Sequence, residues 1–165
     1  MSLPSIIVPM SEEHIESFHK CLDSVARERR FLASASAPPL DSARQFVLSN
    51  IERDIPQFVA LLGEEVIGWC DVSPMRREWF AHCGRLGMGV HRDFRGQGIG
   101  TQLLAQAMQK SRDKGLERIE LEVYGSNESA IRFYQKAGFV VEGVKKKARK
   151  MDGEYDDLVQ MAVFI

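Results

Sequence analysis

The chain has 165 residues, a formal net charge of -1 and a hydrophobic fraction of 44%, and this length predicts a single domain over residues 1–165. The near-neutral charge argues against a nucleic acid partner, and the sequence lacks an apolar run of the ~20 residues that a membrane span needs. It also lacks the basic, apolar start of a signal peptide. Because Cys21, Cys70 and Cys83 follow no disulfide or metal-binding spacing, we expect a cytoplasmic protein with reduced thiols and no metal site.

A first strand and two helices are predicted in the N-terminal third. Ser5–Val8 is a β-branched run of the kind found in strands. Ser11, followed by acidic residues, is typical of a helix start. Apolar residues then recur at helical spacing: Ile15, Phe18, Leu22 and Val25. Asp41 is expected to cap a second helix, whose apolar stripe would be Phe46, Val47 and Ile51.

The middle of the chain predicts a hairpin, a further strand and a long helix. Gln57–Leu62 and Glu65–Val72 are strand-like runs separated by a short turn, which is typical of a β-hairpin. A strand is predicted over Arg85–Val90. The helical pattern that begins near Ile99 is expected to end at Gly115, a residue type favoured just after a helix.

The C-terminal part contains three more strand-like runs and a short helix. Arg118–Tyr124 alternates charged and apolar residues, as a half-buried strand does. The pattern then predicts a helix at Ala130–Ala137, a strand at Phe139–Val141, a basic connection at Val144–Asp152 and a last strand at Leu158–Ile165. The order β α α β β β α β α β β indicates an α/β fold with early antiparallel hairpins.

A glycine-rich turn joins the Arg85–Val90 strand to the long helix. Gly96, Gly98 and Gly100 leave backbone N–H groups unshielded, and the helix N-terminus adds a positive dipole, so the turn favours a phosphate. A P-loop would need Lys followed by Ser or Thr after its second glycine, and a Rossmann motif would need glycine where Thr101 stands. Neither nucleotide motif is matched.

Two segments resemble the signature motifs of the GCN5-related N-acetyltransferase (GNAT) superfamily. Arg95, Gly98 and Gly100 match its Arg/Gln-x-x-Gly-x-Gly/Ala loop, and Asn127–Phe139 matches N-x-x-A-x-x-[FL]-Y-x-[KR]-x-G-F. The motifs stand in the family's order, with one helix and one strand between them. The element order is similar to that of the small bacterial amine and amino-acid acetyltransferases.

This resemblance implies the GNAT acyl-CoA N-acyltransferase fold, a mixed and mostly antiparallel sheet flanked by helices, with a splayed central strand pair that holds acetyl-CoA. The implied reaction moves the acetyl group to a primary amine of a small molecule by direct attack in a ternary complex. The family also contains many homodimers, so the resemblance leaves a homodimer open, although the sequence reveals no interface. The implied cofactor-binding residues are Met88, Val90, Arg95, Gly96, Gln97, Gly98, Ile99, Gly100, Thr101 and Asn127.

The resemblance assigns Tyr134 as the acid that protonates the departing thiolate. A phenol of pKa ~10 is a reasonable acid for a thiolate of pKa ~8.5. The general base is not assigned, because Gly84–Gly89, where many relatives carry a Glu, contains no acidic residue. Asp71, Glu122, His82 and water are the alternatives.

Three other features carry expectations. The basic run Lys145–Lys150 lacks interleaved aromatic residues and is interpreted as a solvated hairpin, not as a nucleic acid site. Trp69 is assigned to the core, and Trp79 is a candidate for the substrate cleft. By analogy with the family, Phe31 and Leu32 would shape the acceptor pocket.

Other functions stay open on the sequence alone. A protein or peptide N-acetyltransferase would use the same cofactor turn. A catalytically silent CoA-binding module would explain the missing base. A nucleotide-dependent enzyme would bind ATP or NAD at the glycine turn in place of CoA.

Overall fold

A computed structural model describes residues 4–165. Its helices and strands are β1 (Ile6–Pro9), α1 (Ile15–Arg27), α2 (Leu40–Glu52), β2 (Gln57–Leu62), β3 (Glu65–Pro74), β4 (Cys83–Val90), α3 (Ile99–Asp113), β5 (Arg118–Tyr124), α4 (Glu128–Lys136), β6 (Val140–Met151) and β7 (Glu154–Phe164). In this part of the chain, seven strands form one sheet in the order β1-β2-β3-β4-β5-β7-β6. Only β4 and β5 pair in parallel, which confirms the predicted mixed, mostly antiparallel sheet.

The sheet carries a separate apolar core on each face. Successive residues of a strand point to opposite faces, so neighbouring residues of β3 belong to different cores. Cys70 and Val72 pack with residues of α3 and α4, such as Leu103 and Tyr134. Trp69 packs with residues of α1 and α2. We call these the α3–α4 face and the α1–α2 face.

The sheet opens between its two central strands. β4 and β5 pair only at Cys83 with Arg118, Gly84 with Ile119 and Arg85 with Glu120. Past Arg85 the two strands separate, while β4 stays paired with β3 as far as Val90 and β5 stays paired with β7 as far as Tyr124. This is the predicted splayed pair. The resulting gap connects the two faces of an otherwise continuous sheet.

The predicted end of the chain is wrong in one respect. The stretch Val144–Asp152 is not a connection, because β6 continues through it to Met151. β6 lies at the edge of the sheet and is mostly exposed, so its lysines face solvent and no apolar alternation marks the strand. The last strand therefore begins at Glu154 and not at Leu158.

The second helix also differs from its prediction. α2 begins at Leu40, with Pro39 at its cap position, and Asp41 lies in the first turn instead of capping it. Phe46 and Ile51 were predicted in the buried stripe, but both are exposed. The buried positions are Ala43, Val47 and Asn50, so the stripe runs along a neighbouring line of the helix.

Among residues 4–165, no helix is long and apolar enough to cross a membrane. Within the same range, no three His, Cys, Asp or Glu side chains cluster closely enough to hold a metal ion. Cys21, Cys70 and Cys83 are buried free thiols, and burial raises the pKa of the Cys70 thiol well above its ordinary value. We interpret all three as packing residues.

Candidate active site

The gap between β4 and β5 opens into a cavity of about 530 Å³. The second half of β4, the glycine turn and the start of α3 form one wall, and β5 and α4 form the opposite wall. Residues of α1 and of the segment after it close the side that lies on the α1–α2 face. Of the described residues that line the cavity, only Arg95 and Glu122 are charged, so the cavity is mainly apolar.

The glycine turn forms one end of this cavity. Gly96 and Gly98 have φ angles of 73° and 82°, in the left-handed region that glycine adopts at little steric cost. Gly98 is the cap residue of α3, which begins at Ile99 and has no acidic residue in its first turn. Because the first N–H groups of a helix lack partners within the helix, this end of α3 suits an anion such as a pyrophosphate.

All of the predicted site residues except Gln97 line this one cavity. They are Met88, Val90, Arg95, Gly96, Gly98, Ile99, Gly100, Thr101, Asn127 and Tyr134. The Gln97 side chain instead donates a hydrogen bond to the carbonyl of Asp93 at 3.3 Å, so it bridges the turn internally. The roles of these residues stay predictions.

The inner edge of β4 presents backbone groups to the cavity. The His91 N–H donates to the Ile67 carbonyl of β3 at 2.8 Å. Since alternate residues of a strand bond to the same neighbour, the backbone groups of Met88 and Val90 point the other way, toward β5. β5 has already separated past Arg85, so the Met88 N–H has no strand partner among the described residues and is available to a bound carbonyl.

The Arg95 side chain is engaged by groups of the protein itself. Its Nη1 and Nη2 donate to the two carboxylate oxygens of Glu28 at 2.9 and 2.5 Å, and its Nε donates to the Val90 carbonyl at 2.8 Å. The guanidinium also lies 4.7 Å from the centroid of the Phe31 ring. The hydrogen bonds from Arg95 lower the pKa of Glu28 below its ordinary value. Arg95 therefore links the glycine turn to the segment after α1.

Glu28 is a residue near the cavity that the sequence pattern does not predict. It stands in the charged run Arg27–Arg30, which is typical of a solvated helix end, and its partner lies 67 residues further along the chain. Its carboxylate side chain is only 17% exposed. No local pattern distinguishes this partly buried pairing from an exposed charge.

Tyr134 reaches the cavity from α4. Its ring packs edge-on against Phe133 and Phe139, at centroid distances of 5.2 and 5.5 Å. Burial, and to a smaller degree the nearby Cys70, raises the pKa of the Tyr134 hydroxyl above its ordinary value. The hydroxyl therefore stays protonated at neutral pH, which is the form that a proton donor needs.

Asn127 is both a helix cap and a residue of the cavity wall. Its Oδ1 accepts hydrogen bonds from the Ala130 N–H at 3.3 Å and from the Ser129 hydroxyl at 3.2 Å. This capping fixes the start of α4. Neither hydrogen bond uses the side-chain N–H groups of Asn127, and the residue lines the cavity.

Asp71 lies directly behind the cavity wall. It is paired with Gly87 of β4, and a Cβ atom on Gly87 would lie only 3.5 Å from the Asp71 Oδ1 atom. Because Gly87 has no side chain and lines the cavity, only its backbone separates the carboxylate from the cavity. Burial raises the pKa of Asp71 to about 7, although the neighbouring Ser73 hydroxyl lowers it.

The other two candidate bases have different surroundings. Glu122 lines the cavity, but its Oε1 accepts hydrogen bonds from Lys145 at 2.9 Å and from Gln160 at 3.4 Å. His82 precedes β4 at the closed end of the strand pair and contacts the Cys83 thiol at 3.4 Å. The structure therefore places Glu122 on the cavity lining and Asp71 behind it beside Gly87, whereas His82 lies at neither position.

Of the remaining apolar and aromatic residues considered for the site, some line the cavity and others do not. Phe31 and Leu32 line the cavity together with Val25. Trp69 is 4% exposed and belongs to the core on the α1–α2 face, as predicted. Trp79 is 82% exposed and does not line this cavity, so its suggested place in the substrate cleft is wrong for this cavity.

Comparison with known proteins independently supports the family resemblance of the sequence. Residues 19–139 match the family model described as the acetyltransferase (GNAT) family. The L-amino acid N-acetyltransferase AaaT of Escherichia coli is 33% identical over 110 residues, which cover 66% of this chain and 67% of that protein.

Solved structures share the whole architecture. An acetyltransferase of the GNAT family from Streptococcus pneumoniae has a TM-score of 0.91 at 22% identity, with 98% of this chain and 100% of that chain covered. A phosphinothricin acetyltransferase from Sinorhizobium meliloti, solved in complex with AcCoA, has a TM-score of 0.90 at 18% identity, with 98% and 88% covered. These likenesses confirm the predicted fold.

Proposed function

The chain belongs to the acetyltransferase (GNAT) family, and we propose that it transfers the acetyl group of acetyl-CoA to the primary amine of a small molecule. The observation that carries this proposal is the gap between β4 and β5. It joins the glycine turn, the free edge of β4 and Tyr134 in one cavity that reaches both faces of the sheet. Residues 1–165 would act as a single N-acetyltransferase domain.

The residues at the gap fit acetyl-CoA. The glycine turn and the first turn of α3 offer backbone N–H groups and a positive dipole end to the pyrophosphate. The free edge of β4 offers the backbone groups of Met88 and the N–H of Val90 to the pantetheine arm, since the Val90 carbonyl already accepts from Arg95. A hydrogen bond from the Met88 N–H to the thioester carbonyl would stabilise the negative charge that develops on that oxygen during attack.

The reaction needs one base and one acid. The amine nitrogen forms a bond to the thioester carbonyl carbon, the carbon–sulfur bond breaks, and the thiolate leaves. The amine loses a proton to the base, and the thiolate receives a proton from the Tyr134 hydroxyl. The Tyr134 hydroxyl is protonated at neutral pH, so it carries the proton that the thiolate needs.

We assign the role of base to Asp71. A carboxylate with a pKa of about 7 is suited to accepting a proton near neutral pH. Asp71 points to the α1–α2 face, since Trp69, two residues earlier on β3, does so. It can reach an amine on that face past Gly87, directly or through one water molecule. Glu122 is a weaker candidate because Lys145 already occupies its carboxylate.

An amine panel tests the proposal. Purified protein is incubated with acetyl-CoA and a panel of small amines, amino acids and peptides with free N-termini, and CoA release is measured as free thiol. We expect release that depends on the amine and a product that is larger by one acetyl group. Release with peptides alone would favour a protein N-acetyltransferase, and acetyl-CoA binding without release would favour a silent module.

A thermal shift assay separates the cofactor alternatives. A ligand at 100 times its Kd adds ~2.7 kcal/mol to the free energy of unfolding. We expect acetyl-CoA to raise the melting temperature. If ATP or NAD raised it and acetyl-CoA did not, the proposed function would be wrong.

A further inference from the structure

The acceptor side of the cavity has an apolar wall. Val25, Phe31 and Leu32 line the cavity from α1 and from the segment that follows it, on the α1–α2 face. We call these three residues the acceptor wall. Glu122 adds a carboxylate on the same face, since its neighbours Leu121 and Val123 belong to the core on the other face.

Of the positive charges near this wall, Arg95 and Arg149 are engaged by other groups, and Arg30, whose guanidinium lies 5.6 Å from the centroid of the Phe31 ring, does not line the cavity. Arg95, the only cation among the described residues that line the cavity, is held by both carboxylate oxygens of Glu28. Arg149 of β6 donates to the main-chain carbonyl of Arg29 at 2.7 Å. Its guanidinium also lies 4.2 Å from the centroid of the Tyr124 ring. The cavity lining therefore offers an incoming carboxylate no unpaired cation.

Building on the proposed function, we propose that the acceptor is a primary amine on an apolar body that carries no carboxylate, such as an arylalkylamine. The apolar body replaces water against the acceptor wall, which is favourable in proportion to the area covered. A carboxylate next to the amine would lose its hydration without gaining a partner. It would also approach the carboxylate of Asp71, a group of the same charge sign.

The acceptor wall is positioned by Glu28. The bidentate pair between Glu28 and Arg95 holds the Arg95 guanidinium over the Phe31 ring. Bidentate hydrogen bonds between charged groups are strong, and they also fix the relative geometry of the two side chains. The next residue, Arg29, adopts a φ of 56°, so the chain turns sharply between the paired carboxylate and Phe31. Glu28 thus acts on the substrate through Phe31 and is a positioning residue.

A matched pair of amines tests the substrate class. 2-Phenylethylamine and L-phenylalanine differ only in the carboxylate, and both are assayed at saturating acetyl-CoA. We expect kcat/KM to be ~10-fold or more higher for 2-phenylethylamine, a difference of ~1.4 kcal/mol. Equal or faster acetylation of L-phenylalanine would overturn the inference.

The same assay separates this inference from the proposed function. If other small amines were acetylated and 2-phenylethylamine was not, the proposed function would stand and the assigned substrate class would be wrong. If no amine in the panel were acetylated, the proposed function itself would be wrong.

Variants test the positioning role of Glu28. Glu28→Gln and Phe31→Ala should each raise KM for 2-phenylethylamine ~10-fold, with kcat and the calorimetric Kd of acetyl-CoA little changed. The double variant should be no worse than Phe31→Ala, because Glu28 acts through Phe31. Glu16→Gln is the matched control, since Glu16 lies on α1 in an exposed pair with Arg44 at 3.8 Å. If the effects of the two substitutions on KM multiplied in the double variant, the positioning role would be contradicted. It would also be contradicted if Glu28→Gln changed only the affinity for acetyl-CoA.

Discussion

On the α3–α4 face of the sheet, the groups proposed to hold acetyl-CoA come from one stretch of chain, whereas the α1–α2 face is assembled from distant segments. The glycine turn, α3, β5 and Tyr134 follow one another between Leu86 and Phe139. The wall on the other face depends on Glu28 meeting Arg95 across 67 residues and on Arg149 meeting the Arg29 carbonyl across 120.

This difference suggests a division of labour between the two faces. A contiguous stretch can keep its geometry while the segments opposite it change, so the same cofactor site can serve different acceptors. The gap between β4 and β5 is where the two faces meet.

The largest effect is expected for Tyr134→Phe, on the α3–α4 face. The substitution removes the proposed proton donor and keeps the ring that packs against Phe133 and Phe139. We expect kcat to fall ~10²–10⁴-fold, with the Kd of acetyl-CoA from calorimetry unchanged. An unchanged kcat would remove Tyr134 from the mechanism.

The next largest effect is expected for Asp71→Asn, on the α1–α2 face. Loss of the base should lower kcat/KM at pH 7 by ~10²–10³-fold. Because the ionised form of Asp71 is needed and its pKa is about 7, wild-type kcat/KM should rise with pH up to that value and then level. The variant should lack this limb. Glu122→Gln serves as the comparison, and a lost limb there would move the base to Glu122.

The same residue predicts a pH dependence of stability. The pKa of Asp71 is raised by burial, so the folded protein binds a proton that the unfolded chain, with a pKa of ~3.9, has released. Stability from this group is full below pH ~4 and falls as pH rises toward 7. The melting temperature of Asp71→Asn relative to wild type should therefore be higher at pH 8 than at pH 4. A difference in melting temperature that did not change with pH would contradict a buried Asp71 carboxyl with a raised pKa.

A smaller effect is expected for Gly98→Ala in the glycine turn. The left-handed backbone costs a residue with a Cβ ~1–2 kcal/mol, and the added methyl enters the turn proposed for the pyrophosphate. Gly63→Ala is a matched control, because Gly63 also has a positive φ, of 60°, but lies in the turn between β2 and β3. Both variants should lose similar stability, and only Gly98→Ala should raise the Kd of acetyl-CoA, by ~10-fold. If the two variants bound acetyl-CoA with equal affinity, the pyrophosphate would not bind at the glycine turn.

The smallest effect is expected for Trp79→Ala. Its side chain is 82% exposed and outside the cavity lining, so kcat/KM for the best amine should stay within about twofold of wild type. A large rise in the amine KM would extend the acceptor site beyond the acceptor wall.

The features that were predictable from sequence are those encoded locally. The glycine turn, the cap at Asn127 and the position of Tyr134 depend on residues close together in the chain, and each lies on the cavity. The alternation in Arg118–Tyr124 marks β5 because that strand is buried on one face. Local chemistry and a one-sided core leave a readable pattern.

The features that were missed depend on surfaces and on distant contacts. β6 is exposed along an edge, so solvent replaces the apolar neighbours that would have marked it as a strand. Phe46 and Ile51 of α2 are apolar yet exposed, which shifts the apparent stripe. Glu28 resembles any charged residue at a helix end until the fold brings Arg95 to it.

The most direct test of the two-face account is a crystal structure with a bisubstrate analogue, in which 2-phenylethylamine is joined to CoA through an acetyl bridge. In that structure we expect the pyrophosphate to bind at the glycine turn, the bridge to lie in the gap between β4 and β5, and the phenyl ring to pack against Phe31 and Leu32. A phenyl ring bound on the α3–α4 face, or a CoA moiety that bypasses the gap, would contradict it.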